Sequence, residues 1–211
     1  MHDLEQLKEA LIVGDWKAAA AATQAALARG VAPLTIVTGH LMPAMDEVGR
    51  LFECEEYFVP EMLLSSRAMK ASMQILRPLL ASSGAEPVGR VVIGTVKGDL
   101  HDIGKNLVAA MLEGGGFEVI DLGADVDPEL FVETAAARSA DLVALSALLT
   151  VTMGWMKTTI DAFKAAGLRE KVKIMVGGAP ITQQYADAIG ADGFGDSAGT
   201  AVALARKLVA A

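Results

Sequence analysis

The hydrophobic period changes once along this chain, and that change limits the folds open to it. From Asp3 to about Leu80, apolar residues recur at helical spacing with almost no alternation of period two. Asp3 can cap a helix that runs to about Val13 and closes at Gly14. Asp15 can cap a second that runs to Arg29 and closes at Gly30. Pro33 suits the first turn of a third helix, which carries on to about Glu53 with a kink at Pro43, and a fourth spans about Pro60 to Leu79. Helices joined by such short connections form a bundle. Past the small, polar stretch ASSGAEPVG, Ala81 to Gly89, the pattern becomes short β-rich runs: RVVIGTV, FEVIDLG, DLVALSAL and VKIMVGG. Each is followed by a helix-like segment, and DGFG reads as a short fifth strand. Asp127-Pro128 starts the helix after the second run, TVTMGWMKTTIDAFKAAG contains the next, and Asp196 is placed to cap the last.

Repeated strand-helix order implies a parallel sheet covered on both faces. The expected fold is therefore α/β: a four-helix bundle over 1–84, a linker at 85–89, and a flavodoxin-like (Rossmann-like) five-stranded parallel sheet with helices on both faces over 90–211. Of 211 residues, 53% are hydrophobic and only 5% aromatic, which points to packed aliphatic cores rather than an aromatic binding surface. A formal charge of -8 and the lack of any basic cluster argue against nucleic acid as a partner. Cys54 is the only cysteine, so an internal disulfide is impossible and a cytoplasmic home is expected. The acidic start MHDLEQLKEA is unlike a secretory signal, and each long apolar run is interrupted before membrane-spanning length.

The stretch GTVKGDLHDIGKNLV, Gly94 to Val108, opens with glycines after an apolar run and so invites comparison with a phosphate-binding loop. It fails that comparison. Gly98 and Gly104 stand one residue too far apart, Asn106 follows Lys105 where Ser or Thr is needed, and Asp99 and Asp102 would oppose a phosphate. Asp99 and His101 lie just past a strand end, where ligands of open parallel sheets bind. An Asp two residues before a His can hold the ring's Nδ1 proton and aim a basic Nε2 outward, as metal-ligating histidines require. His2, His40, His101 and Cys54 show no paired spacing of the zinc kind. A single protein ligand suits a metal that brings its own equatorial ligands, and haem and corrinoid both answer that description.

Asp99-x-His101-x-x-Gly104, then Ser146-x-Leu148, then Gly177-Gly178 resembles, in order and separation, the signature of cobalamin-binding domains that hold the corrinoid with its lower base displaced. The segment EEYFVPEMLLSSRAMKA, Glu55 to Ala71, is similar to the helical cap of small corrinoid proteins of methyltransferase systems. Cobalamin-dependent methionine synthase has a similar cap and domain within a longer chain. The resemblance implies that His101 is the lower axial cobalt ligand, that Asp99 is its hydrogen-bonded support, and that Thr152 completes a relay. It further implies that Asp102, Ile103, Gly104 and Leu148 contact the cobalamin or related corrinoid, and that Ser146 and Thr150 line the pocket for its nucleotide tail. Gly177 and Gly178 would let that tail pass close to backbone, where a β-carbon would obstruct it. Met42, Met45, Met62, Met69 and Met73 read first as bundle core, although in the resembling proteins such residues also shield the upper corrin face.

The function so implied is that of a methyl carrier, not catalytic alone. It would accept a methyl group on Co(I) from a donor-specific methyltransferase and pass it to a second, acceptor-side methyltransferase, with a reductive activating protein as a further partner. Two other classes share the cobalamin domain. Light- or cobalamin-sensing regulators add a DNA-binding domain, for which there is no room before Asp3. The small subunits of adenosylcobalamin-dependent mutases resemble Arg90 to Ala211 only and lack the helical bundle.

Overall fold

The computed structural model describes residues 2–82 and 86–210. Two compact units make up the chain: residues up to Pro87 with Glu113–Gly116, and Val88–Leu112 with Phe117 onward.

In the helical unit, α1 (His2–Ile12) and α2 (Trp16–Ala28) flank a turn at Gly14. That glycine adopts a positive φ, and a β-carbon on it would come within 2.5 Å of Leu64 Cβ, so the turn excludes larger residues twice over. Asp15 caps α2 as expected, accepting from the N–H groups of Lys17 and Ala18. The first helix starts at His2, so Asp3 stands inside it and not at its cap. The third rod is α3 (Pro33–Ile36), a π-helical turn (Val37–Leu41) and α4 (Met42–Glu53) in direct continuation. Pro43 has no N–H to give, and the strain expected as a kink is absorbed just before it. There Met42 N–H reaches back to Val37 O in π register. The fourth rod, α5 (Val59–Ser82), outlasts its expected end and runs through Pro78. Met45, Met62 and Met69 are buried with Leu7, Leu11 and Leu76. The buried hydroxyls of Thr23 on α2 and Ser72 on α5 meet at 3.0 Å.

The second unit contains β1 (Arg90–Thr95), α6 (Ile103–Gly114), β2 (Glu118–Asp121), α7 (Pro128–Arg138), β3 (Leu142–Ser146), α8 (Gly154–Ala165), β4 (Lys173–Gly177), α9 (Gln183–Ile189), β5 (Gly193–Gly195) and α10 (Ala198–Val209). All strands are parallel, in the order β2-β1-β3-β4-β5. The α/β reading of the sequence is thus realised, down to the short strand in DGFG. On one face Val92, Val143, Ile174 and Val176 pack with Phe131 of α7 and Met156, Ile160 and Phe163 of α8. Gly94 makes this possible, since a β-carbon there would stand 2.7 Å from the Phe131 ring. On the other face, Ala201 and Leu204 of α10 lie against Gly195 and Gly193. The cap of α10 is Ser197, one residue after the expected Asp196. Ser197 and Thr200 form a reciprocal capping box, and Asp196 instead accepts from Thr200 Oγ1 at 2.6 Å. Strand order reverses between β1 and β3, which places the loops that follow them side by side. Among the described residues no helix is long and apolar enough to cross a membrane.

Candidate functional site

The loop leaving β1 is tied down at several points before it reaches His101. Val96 N–H donates to Ser146 O, and Gly98, with positive φ, donates its N–H to Asp125 Oδ1 at 2.7 Å. Thr95 Oγ1 donates to His101 O at 3.0 Å. Asp99 is thereby carried beneath the loop and is fully buried.

Two sets of donors converge on its carboxylate. Oδ1 accepts from the His101 backbone N–H at 3.0 Å and from His101 Nδ1 at 2.7 Å. Oδ2 accepts from Leu148 N–H at 2.8 Å, Leu149 N–H at 3.2 Å and Thr152 Oγ1 at 2.7 Å. Burial is the largest single influence on this carboxyl and pushes its pKa up. The donors from Leu148, His101 and Thr152 together outweigh burial and hold it well below the usual carboxylate range. Asp99 is therefore an anion, and Nδ1 of His101 must be the donor between them. In the neutral ring this leaves the lone pair to the other nitrogen, Nε2, on a side chain that is 51% exposed. Thr152 Oγ1 also lies 2.8 Å from Leu149 O, but its one hydrogen goes to the charged acceptor.

A cavity of about 810 Å³ opens beside His101, between the sheet and helices α6 and α10. His101, Asp102, Ile103, Gly104, Ser146, Leu148, Gly177 and Gly178 all border it. Thr150 does not. It is exposed on the loop between β3 and α8, because the backbone turns outward after Ala147 to bring the Leu148 and Leu149 amides down to Asp99. Asp99 and Thr152 lie behind His101 rather than in the cavity wall.

The two glycines border the cavity, and the chain itself demands the second of them. Gly178 has φ +130°, and a β-carbon there would meet Ala147 O at 1.9 Å; one on Gly177 would meet Gly195 O at 3.0 Å. The fold thus has its own reason for a glycine at 178, apart from any tail. Other parts of the site were not read from the sequence. Leu100 (76% exposed), Ile103 (73%) and Val151 (83%), with Leu148 and Leu149, are exposed apolar side chains on or beside the two loops that meet at Asp99, where no monomer core needs them. Lys105, read only as a failed phosphate motif, is buried and grips both carboxylate oxygens of Asp121 and Oδ1 of Asn106. Ile93, Ala144, Met175, Ala198 and Ala201 line the cavity, yet from sequence they look like ordinary core.

These residues fit a corrinoid. Among the described residues no three His, Cys, Asp or Glu side chains converge on a common point, so the donor set is a single imidazole nitrogen. Such a donor, set in an apolar rim, suits a metal that arrives within a flat macrocycle, and the deep cavity beside it suits that macrocycle's tail.

Residues 89–205 match the family described as B12 binding domain, and residues 3–77 match a second family of the same description. A corrinoid protein of Desulfitobacterium hafniense (strain Y51) is 41% identical over 99% of this chain and 98% of its own length. Dimethylamine corrinoid protein 1 of Methanosarcina acetivorans is 43% identical over 98% of this chain and 97% of its own. Among solved structures, a cobalamin-binding protein of Desulfitobacterium hafniense DCB-2 superimposes with TM-score 0.80 at 32% identity, covering 97% of this chain and 98% of that one. A chain of the methanol:cobalamin methyltransferase complex of Methanosarcina barkeri does so with TM-score 0.86 at 29% identity, covering 99% and 80%. Matched along its whole length in this way, the chain belongs to the corrinoid proteins of methyltransferase systems.

Proposed function

We propose that this protein is a methyl carrier that binds a corrinoid with its lower base displaced and His101 Nε2 in that base's place. The observation that carries the reading is the Thr152–Asp99–His101 chain of hydrogen bonds, which ends on one exposed imidazole nitrogen beside a deep cavity. When bound, the corrinoid supplies a cobalt that takes up a methyl group and gives it away.

The protein's own residues do the rest. Asp99 fixes the tautomer of His101 and makes its Nε2 a better donor. With Nδ1 committed to Asp99, Nε2 is the nitrogen that would meet the metal. Leu100, Ile103, Leu148 and Val151 keep water away from the ring that His101 serves. Ser146, at the end of β3, would offer its hydroxyl to the tail, and Gly104, Gly177 and Gly178 would present backbone to it.

On this reading the protein catalyses nothing alone. A donor-side methyltransferase and an acceptor-side methyltransferase use it in turn, and a reductive activating protein restores it after oxidation. The relatives named above differ in the methylated compound in their names, dimethylamine in one and methanol in another, so membership of the family does not by itself fix the donor. We further propose that residues 1–84 and 90–211 are separate domains joined at 85–89, of which residue 85 lies outside the described residues, and that the protein works in the cytoplasm.

Electron paramagnetic resonance of the Co(II)-loaded protein tests the ligand assignment. Histidine labelled with heavy nitrogen should change the nitrogen hyperfine pattern, and His101→Ala should abolish it. A pattern that survives His101→Ala, or that follows a label in the corrinoid's own base, overturns the assignment.

A further inference from the structure

We infer that the cavity selects corrinoids by the chemistry of their lower base, favouring an apolar benzimidazole over a purine; this presupposes the corrinoid binding proposed above. Strand register divides the cavity's sheet wall into two rows. The outer row, at the strand ends, is Ser146, Gly177 and Gly195. The inner row, two residues down each strand and so about 7 Å deeper, is Ile93, Ala144 and Met175.

Every side chain of the inner row is apolar. So are Leu107 on α6 and Ala198 and Ala201 on α10, which line the cavity from the helices. The backbone groups at that depth are paired in the sheet, since Ile93, Ala144 and Met175 stand opposite one another in consecutive strands. The polar side chains bordering the cavity are elsewhere or already engaged. Asp196 and Ser197 bond Thr200, Lys105 bonds Asp121, and Asp102 bonds Asn106. Ser146 stands in the outer row, where a phosphate or ribose would pass.

A planar base driven to the inner row thus meets carbon on all sides. A benzimidazole gives up water there at a single ring nitrogen. A purine brings an amino group and extra ring nitrogens that give up water without finding partners, which corresponds to about 10- to 100-fold weaker binding. Apolar cavities seldom discriminate more strongly than that against an added polar group.

The test is titration of the full-length apoprotein with three corrinoids, followed by absorbance: cobalamin, whose base is dimethylbenzimidazole; the analogue whose base is adenine; and cobinamide, which has no nucleotide. The expected order is cobalamin first, the adenine form about 10- to 100-fold weaker, and cobinamide weakest. In Met175→Gln, which places an amide in the inner row, the gap between the two bases should shrink, whereas Met175→Leu should keep it. Equal affinity for the two bases, or for all three corrinoids, overturns the inference while leaving corrinoid binding intact. Failure to bind any of the three overturns the corrinoid reading itself. Should Met175→Gln not fold, the comparison of corrinoids on the unaltered protein decides alone.

Discussion

Replacing Asp99 with Asn should reverse the tautomer of His101 and cost the protein its axial ligand. The side chain keeps its shape but has one acceptor atom where there were two. Three donors, the amides of Leu148 and Leu149 and the hydroxyl of Thr152, converge on Oδ2, and only the two from His101 converge on Oδ1. The amide oxygen will therefore take the position of Oδ2, and the NH2 group will face His101. There it opposes the His101 backbone N–H, and it can be satisfied by the ring only if Nδ1 becomes an acceptor. The ring proton then sits on Nε2, the atom that should bind cobalt. Loss of a supporting partner commonly lowers metal affinity 10- to 100-fold, and a reversed tautomer places the effect near the upper end, about 100-fold or about 2.7 kcal/mol.

Stability should fall as well, by about 1–3 kcal/mol for the unpaired donor at the His101 amide. The sign with pH follows from the depressed pKa of Asp99. Its stabilising contribution is complete above the unfolded carboxyl value, about 3.9, and is lost as pH falls towards the lower folded value. The gap in stability between wild type and Asp99→Asn apoproteins should thus be constant near neutrality and close below about pH 4. Urea unfolding at several pH values and hyperfine spectra of the Co(II) protein measure the two effects. Wild-type affinity together with an unchanged histidine hyperfine pattern in Asp99→Asn would refute the reasoning.

Gly178→Ala should unfold the sheet unit rather than merely weaken its ligand site. Its β-carbon would stand 1.9 Å from Ala147 O at a φ of +130°, a loss of about 3 kcal/mol or more, so thermal stability and corrinoid affinity should drop together. Asp121→Ala should cost more than Lys105→Met in chemical denaturation, by about 2 kcal/mol, since the first leaves a buried ammonium without its counter-ion. The second frees a carboxylate that is 38% exposed and still accepts from Gly123 N–H; equal losses would contradict this. Ser197→Ala should remove the capping box of α10 at a cost of about 1 kcal/mol, seen as a lower melting temperature. Finally, a carrier should show no change of oligomer when its adenosylcobalamin form is illuminated, and sedimentation showing a reversible dimer-to-tetramer shift would favour a sensor instead.

What the sequence determined by itself is whatever depends on neighbours along the chain. The change of hydrophobic period separates helical rods from strands, and Asp15 caps α2 because its reach is three residues. Asp99 and His101 are two residues apart in a tight loop, so their pairing could be read directly, and the spaced motifs marked the cavity's border at Gly104, Ser146 and Gly177. The tertiary structure decided what depends on which strands lie side by side. Only the adjacency of β1 and β3 brings Leu148, Leu149 and Thr152 to Asp99, and the same turn sends Thr150 outward. Ile93, Ala144 and Met175 look like core in any one strand; their register in three strands makes them a single wall, because α6 and α10 leave that stretch of sheet uncovered. Gly178 is small for the sake of a carbonyl some thirty residues earlier, a contact that exists only once β3 and β4 have paired.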